Sequence, residues 1–316
     1  MSAYDHGRAH GQARKLGPKG MTTVGTPEAP HSFMPSRVRK VLSPRTVSRL
    51  AIASVLLVVG FLMLLPVAWA FVQSFELPSA QFLLPPVWFP HQLTLESYRA
   101  LFSSAPFVDN MINSVLISVT VILGATVIGI LAAYAFSRLQ FRGREALFVL
   151  FLASLTLPTQ VSAVPSFVLM KYLHLLNTQA SIIIPALIQV VGIFLLRQQF
   201  NTVPRDLDDA ARVDGAGHLS IIWNVMVPMS WPTITAVMVI TGQYIWNDFF
   251  WPNLFITSPD RMTAPLALYY LQFSQGGGQI GAIFAGVSIL SIPLIIAFLI
   301  FQRHLMRGVG FQGISK

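Results

Sequence analysis

Asp209-Ala-Ala-Arg-Val-Asp-Gly215, running on to Val227-Pro228, is a polar, helix-forming stretch wedged between two long apolar runs. A chain that only crosses a membrane has no use for such a stretch. A chain that must grip a soluble partner at the membrane face does. The apolar runs on either side set the class: 54% of the residues are hydrophobic, 10% are charged and the mean hydropathy is +0.63. Soluble domains carry roughly 25% charged residues. The pattern therefore predicts an all-α integral membrane protein. The chain has no cysteine, which excludes disulfides, thiolate metal sites and cysteine nucleophiles.

A spanning helix needs about 20 mostly apolar residues. Six segments meet this: 50–73, 112–137, 146–170, 180–201, 232–256 and 281–302, the fourth interrupted by Pro185 and Gln189. The expected organisation is a basic tail over 1–48 and a six-helix domain over 49–316, with a loop at 202–231 between helices four and five. The first apolar run starts near Ala51, too late for a cleavable signal peptide. The preceding Gly-, Pro-, Ser- and His-rich tail reads as disordered. Of the lysines and arginines, 18 fall on one side of the six spans and three (Arg99, Lys171, Arg261) on the other. By the positive-inside rule both termini and the 202–231 loop are cytoplasmic. The net charge of +9 is then a topology signal, and nucleic acid is not an expected partner; membrane lipid is. The opposite loop, 74–110, carries Pro78, Pro85, Pro86 and Pro90 with Trp88, Phe89 and Tyr98, as befits a segment at the interface. Gly276-Gly277-Gly278 lacks the Lys-Ser/Thr of a phosphate cradle and reads as a flexible loop.

Within 202–231, Thr202 and Pro204 suit a helix start. Leu207, Ala210 and Ala211 share one face, and Arg205 with Asp209 and Asp208 with Arg212 form i, i+4 pairs. Gly215 or Gly217 can end this helix, and a second short helix over about 218–226 leads to Pro228. Spacing alone leaves two readings open: a helix–turn–helix that seats in a partner's cleft, or an amphipathic connector resting on lipid.

The register Asp209-Ala210-Ala211, Gly215, Val225, Val227-Pro228 resembles the Glu-Ala-Ala…Gly…Ile-x-Leu-Pro loop of permease subunits of bacterial ABC importers, with Asp for Glu and Val for Ile and Leu. The flanking Val203-Pro-Arg-Asp-Leu207 and Pro228-Met-Ser-Trp-Pro232 are similar too. So are Leu157-Pro158-Thr-Gln160-Val-Ser-Ala-Val-Pro165, Leu176-Asn177-Thr178, Trp246-Asn247-Asp248-Phe249 and the Gln302-Arg303…Arg307-Gly308…Gly313 end. Over residues 50–316 the chain resembles the smaller, maltose-type permease of the carbohydrate-uptake class. The resemblance implies a type I ABC importer permease-like bundle in a bacterial cytoplasmic (inner) membrane. It implies a heterodimer with a second permease subunit, an ATPase subunit dimer that holds ATP and Mg, and an extracytoplasmic solute-binding protein. Asp209, Ala210, Ala211, Gly215 and Pro228 would couple to the ATPase. No G-x-x-x-x-G-K-S/T occurs, so this chain is expected to hold no ATP, cofactor or metal of its own and to be no enzyme by itself.

Asp248 is the one acid in the interior of a predicted span. An ionised group there costs at least ~2.5–3.5 kcal/mol, so such residues face a cavity or a partner. With Asn247, and with Trp246, Phe249, Phe250 and Trp251 around it, Asp248 suits a sugar path. An outer aromatic belt with Asp248 near water is the alternative. Gln160 and Ser162, between Pro158 and Pro165 in helix three, suit either a translocation path or an ordinary kink bonded between helices. Asn110, Asn113 and Ser114 read as capping or interhelical groups, and Gly124, Gly129, Gly192 and Gly242 as close-packing sites. His218 reads as a solvated loop residue.

The expected function is half of the translocation pathway for an oligosaccharide or related polyol, driven by the partner's ATP. Glycerol phosphate-type solutes are an alternative within the same class. An ion-coupled secondary transporter would need more intramembrane carboxylates or repeated broken helices. An intramembrane enzyme would need a nucleophile–base or metal pair, and no span interior contains a histidine.

Overall fold

The computed structural model describes residues 44–77, 92–274 and 280–309, apart from the side chains of 44–47, 50, 274 and 303–309. The basic tail up to residue 43, the prolines and aromatics at 78–90, the triple-glycine run and the chain from 310 lie outside the described residues. Two units separate, Met1–Leu56 and Leu57–Lys316. The first is described only in the opening turns of a helix that begins at Pro44, inside the stretch read as tail. The second holds every other described element.

Among the described residues every regular element is helical. In chain order these are α1 (Pro44–Gln73), α2 (Glu96–Ser104), α3 (Phe107–Arg138), α4 (Arg144–Ala153), α5 (Ala163–Tyr172), α6 (Ala180–Ala186) and α7 (Val190–Thr202). Then come α8 (Arg205–Val213), α9 (His218–Ile221), α10 (Val227–Met229), α11 (Trp231–Trp246), α12 (Phe250–Phe255), α13 (Ala264–Ser274) and α14 (Ile280–Val309). Four stretches are long and apolar enough to cross a membrane: Ala51–Gln73, Phe107–Arg138, Ala180–Thr202 and Ile280–Gln302. Two bent pairs, Arg144–Thr156 with Thr159–Tyr172 and His218–Met229 with Trp231–Trp246, bring the number to as many as six if each pair counts as one span.

The central helix is α3, 32 residues long and so about 48 Å at 1.5 Å per residue. It begins at Phe107, five residues earlier than the sequence suggests, and Asn110, Asn113 and Ser114 make bonds to another segment, as interhelical groups do. Asn110 Nδ2 donates to the carbonyls of Pro259 (2.7 Å) and Met262 (3.1 Å), and Asn113 Nδ2 to those of Asp260 (2.8 Å) and Met262 (3.1 Å). Ser114 Oγ accepts the Ala264 N–H at 2.8 Å. These bonds fasten the loop before α13 to one end of α3. Beside them Asn177, in the left-handed region at φ 58°, accepts the N–H groups of Thr257 and Ser258 at 3.1 and 3.0 Å. Asn is among the few non-glycine residues that tolerate this conformation.

Lipid is as apolar as leucine, so close contact rather than water exclusion must hold spanning helices together. Glycines supply it. A Cβ on Gly124 would lie 2.6 Å from Leu187 Cδ2, on Gly129 3.3 Å from Leu196 Cδ1, on Gly192 2.9 Å from Val237 Cγ1 and on Gly242 2.9 Å from Ile122 Cδ1. These contacts press α7 and α11 against α3 and each other. One core cluster, with Ile117, Val121 and Ile245, lies toward the Asn110 end of α3. A second, with Ile130, Tyr134, Leu196 and Ile234, lies toward the Arg138 end.

Three expected spans are broken. The segment expected to be one helix over 146–170 bends by 97° between Thr156 and Thr159. Leu157 is extended at ψ 127°, as a residue preceding proline must be. Ser154 and Thr156 hydroxyls bond back to the carbonyls of Phe151 (2.6 Å) and Ala153 (2.7 Å). This is a sharp break, not an ordinary kink, and Gln160 makes no interhelical bond among those described, its Oε1 instead accepting from Thr159 Oγ1 at 3.4 Å. Between α6 and α7 Gln189 is extended, and its Nε2 satisfies the Ala186 carbonyl at 2.9 Å. The expected span 232–256 stops at Trp246, because two side chains compete for its backbone. Asn247 Nδ2 donates to the Gln243 carbonyl at 2.8 Å, and Asp248 Oδ1 accepts the Phe250 N–H at 3.1 Å.

Candidate functional site

Two features carry chemistry, at different levels of the bundle. The first is the hairpin beyond the Arg138 end of α3. Pro204 (φ −57°) precedes α8, and Asp206 and Asp208 sit in its first turn, where the helix dipole favours acids. The helix ends in a left-handed turn. Gly215 has φ 84°, its N–H donates to the Arg212 carbonyl (3.0 Å) and the next N–H, of Ala216, to the Ala211 carbonyl (2.9 Å). This is the Schellman arrangement, in which glycine takes the left-handed position and the flanking apolar residues meet. Ala211 and Ala216 both pack on the second core cluster. The return arm runs through α9, a π-helical stretch at Ile222–Met226 and α10, burying Ile221, Ile222 and Met226. It then turns by 85° into α11. Pro228 is exposed just before that bend.

The expected shared face of Leu207, Ala210 and Ala211 is divided. Ala211 turns to the bundle, while Leu207 and Ala210 are exposed and continue in Val213, which is 88% exposed. Leu207, Ala210 and Val213, three residues apart, form an apolar stripe facing away from the bundle. Leu219 and Trp223 on the return arm are also exposed. Asp209 lies beside the stripe with its side chain 71% exposed, 3.9 Å from Arg212. The expected pairs Arg205–Asp209 and Asp208–Arg212 do not form: Asp208 turns inward instead, its Oδ2 2.9 Å from Arg138 Nε, with both residues buried. Sequence reasoning missed Arg138 and counted it only as a topology charge. It also missed Arg197, whose Nη2 reaches both Glu145 oxygens at 2.8 Å and whose guanidinium lies 3.8 Å over the Phe148 ring. His218 is exposed as expected, but its Nδ1 lies 2.9 Å from Tyr134 Oη.

The second feature is a cavity of about 440 Å³, and all three helix breaks open onto it. Leu155, Thr159 and Ser162 come from the first break, Ala186 and Gln189 from the second, Asp248 and Trp251 from the third. A second hollow of about 660 Å³ shares Thr159, Tyr244, Asp248 and Trp251 and adds Gln160, Gln243, Asn247 and Phe249. Gln160, Asn247, Asp248 and Phe249 are thus brought together. Trp246 is not: it is buried and its Nε1 donates to the Leu290 carbonyl of α14 at 3.1 Å. The described lining is mainly apolar, of aliphatic side chains and aromatic rings, with amides, hydroxyls and one carboxylate set among it, and no lysine, arginine or histidine.

Irregular backbone at membrane depth survives where it lines a cavity, and a cavity between broken helices, apolar with a few polar groups set into it, is the build of a membrane transporter. Residues 125–310 match the family of the binding-protein-dependent transport system inner membrane component, and the chain belongs to that family. It is 30% identical over 261 residues to the arabinooligosaccharides transport system permease protein AraQ of Halalkalibacterium halodurans, covering 81% of this chain and 93% of that one. It is 30% identical over 264 residues to the sn-glycerol-3-phosphate transport system permease protein UgpE of Yersinia pestis, covering 81% and 94%. A chain of a bacterial ABC transporter involved in the import of the acidic polysaccharide alginate superposes with a TM-score of 0.70 over 81% of this chain and 96% of that one, at 21% identity. At that identity the likeness is one of fold: an all-α ABC importer permease bundle. The chain is a multi-pass membrane permease subunit of this transport class.

Proposed function

We propose that this chain forms half of the passage of an ATP-driven importer of an uncharged oligosaccharide or polyol, paired with a second permease subunit. The hairpin 202–231 is its cytoplasmic handle, with both termini on the same side, as the 18-to-3 division of basic residues supports. Its motor is a partner ATPase dimer holding ATP and Mg; this chain binds neither. A solute-binding protein delivers the cargo from the outer side. The observation that carries the reading is the hairpin's two-sidedness. Its inner face is packed on the bundle through Ala211, Ile221 and Met226, while Leu207, Ala210 and Val213 stand bare in a stripe. Ala210 keeps that stripe low enough to seat in a cleft. Asp209 would add a charge contact at its edge, and Gly215 and Pro228 shape its two ends.

ATP closing the motor dimer pulls the handle and rocks the bundle between inward- and outward-open states, a rigid-body switch. The differential affinity of ATP for the two states must supply the shift. The solute class follows from the lining: rings of Phe249 and Trp251 for C–H faces, amides of Gln160, Gln189 and Asn247 for hydroxyls, and Asp248 with no cation beside it among the described residues. An anionic glycerol phosphate would meet that carboxylate and find no counter-charge, so the uncharged class is favoured over the cargo named for UgpE.

The chain's lack of cysteine makes the test direct. In membranes stripped of the ATPase, Val213→Cys should react with a membrane-impermeant maleimide from the cytoplasmic side only, and purification of the intact complex through this subunit should bring down an ATPase. Labelling from outside intact cells, or purification without any nucleotide-hydrolysing companion, refutes the assignment. Competition between a neutral oligosaccharide and sn-glycerol 3-phosphate for uptake decides the solute class.

A further inference from the structure

The hairpin is joined covalently to the bundle at two places, the extended Val203-Pro204 link after α7 and the sharp turn at Ser230 before α11. A body held at two hinges can still rotate about the line through them. Apolar packing of Ala211, Ile221 and Met226 on the bundle opposes that rotation without direction; a directional, off-axis contact fixes it, and the last turn of α3 provides one. Arg138 is 8% exposed, yet its side chain reaches three parts of the hairpin. Its Nη2 donates to the Val203 carbonyl at 2.7 Å and lies 3.9 Å from Met226 Sδ in the return arm. Its Nε lies 2.9 Å from Asp208 Oδ2 in α8, a charge contact between two buried groups. One turn earlier Tyr134 meets His218.

We propose that Arg138 is the positioning residue that locks the hairpin to α3, so that a pull on the hairpin moves α3, α7 and α11 as one body instead of swinging the hairpin on its hinges. This rests on the hairpin being the handle of the proposed function. Arg138 touches no solute and no nucleotide. It acts through Asp208 and Val203. Arginine suits the task because its planar fork serves a carboxylate and a carbonyl at once, which an ammonium does not. Removing one partner leaves a buried charge uncompensated, whereas replacing both by apolar groups of similar volume often preserves the fold. The informative variant is therefore the double Arg138→Met, Asp208→Leu.

The test uses the complete importer in nanodiscs, with Ile240→Cys on α11 as reporter, a residue that borders both hollows. With otherwise native sequence, ATP and vanadate should change the rate of Ile240→Cys modification by a maleimide about tenfold, as expected of a population shift between two states. With the double substitution, ATP should still be hydrolysed while that change shrinks to within about twofold, and Arg138→Lys should restore part of it. A merely structural role would lower the yield of complex and leave the ATP-dependent ratio unmoved, and an unmoved ratio overturns the proposal. Should the double variant not assemble, spin labels at Leu131→Cys on α3 and Asp214→Cys after α8 decide, with Arg138 intact. Their separation should be the same with and without ATP, and a change between the two states overturns the lock. Loss of the ATP response in the reporter with Arg138 and Asp208 intact would instead refute the handle itself.

Discussion

Replacing Gly215 by valine isolates the turn that shapes the handle. At φ 84° a Cβ would meet nothing within 4 Å, so no clash arises, and the whole penalty is in the backbone. A non-glycine residue in the left-handed region costs roughly 1–2 kcal/mol. The turn is held by two hydrogen bonds, Gly215 to Arg212 and Ala216 to Ala211, each worth about 0.5–1.5 kcal/mol net. The penalty is thus of the same size as the bonds that oppose it, and the turn opens for part of the time. An energy of about 1.4 kcal/mol is tenfold in an equilibrium constant. The ratio of formed to opened turn should fall about five- to thirtyfold, and the apparent affinity for the ATPase should fall with the fraction of hairpin still formed, about twofold or more. Titrating ATPase onto the permease pair in nanodiscs measures this. Gly215→Asn should recover much of the loss, since asparagine visits this region more readily. Gly217 supplies the control: its φ is −77° and nothing lies within 4 Å of its would-be Cβ, so Gly217→Ala should be silent or slightly stabilising. Unaltered docking by Gly215→Val, or equal damage from Gly217→Ala, would refute the reasoning.

Three more outcomes are expected. Asp248→Asn should keep assembly and raise uptake of sn-glycerol 3-phosphate relative to a neutral oligosaccharide by about tenfold, the effect of ~1.4 kcal/mol of lost repulsion; an unchanged ratio in paired uptake assays removes Asp248 from the path. Asn177→Ala should destabilise the fold by about 2 kcal/mol, because alanine strains at φ 58° and leaves the part-buried Ser258 N–H without its acceptor; thermal unfolding of the complex reads it, and ATPase docking should survive. Gly192→Ala should cost about 1–3 kcal/mol by pushing α7 off Val237, whereas Gly60→Ala, in open space on α1, should be neutral or stabilising; equal melting shifts for the two would count against glycine-mediated packing.

Local constraints were legible in the residues, and long-range ones were not. The hairpin could be read because its logic closes within about a dozen residues: a proline before the first turn, acids in that turn, and a glycine where the chain must go left-handed. The spans could be read because an apolar run of sufficient length has few other uses. The close-packing glycines were visible for a related reason, since small residues are what lipid-bathed helices need for contact. The helix breaks were half visible. Pro158 and Gln189 announced that the backbone would be interrupted, but the 97° turn depends on where the neighbouring helices stand.

Arg138 and Trp246 show where single-sequence reasoning stops. An arginine at the end of an apolar run is indistinguishable from a topology charge unless its partner is known, and Asp208 lies 70 positions further on. The i, i+4 rule paired Asp208 with Arg212 because it sees one helix at a time. A buried guanidinium offering contacts to a carboxylate, a carbonyl and a sulfur outcompetes that solvent-exposed partner, since exposed pairs contribute at most about 1 kcal/mol. Trp246 sits in the same motif as Asn247 and Asp248, yet it points to Leu290, because the helix ends within that motif and the next residues turn away from its own face. A polar group at membrane depth always declares that it has a partner. Which partner it has is a property of the packing, and in this chain the packing turns Asp208 inward to Arg138 and leaves Asp209 exposed on the same helix.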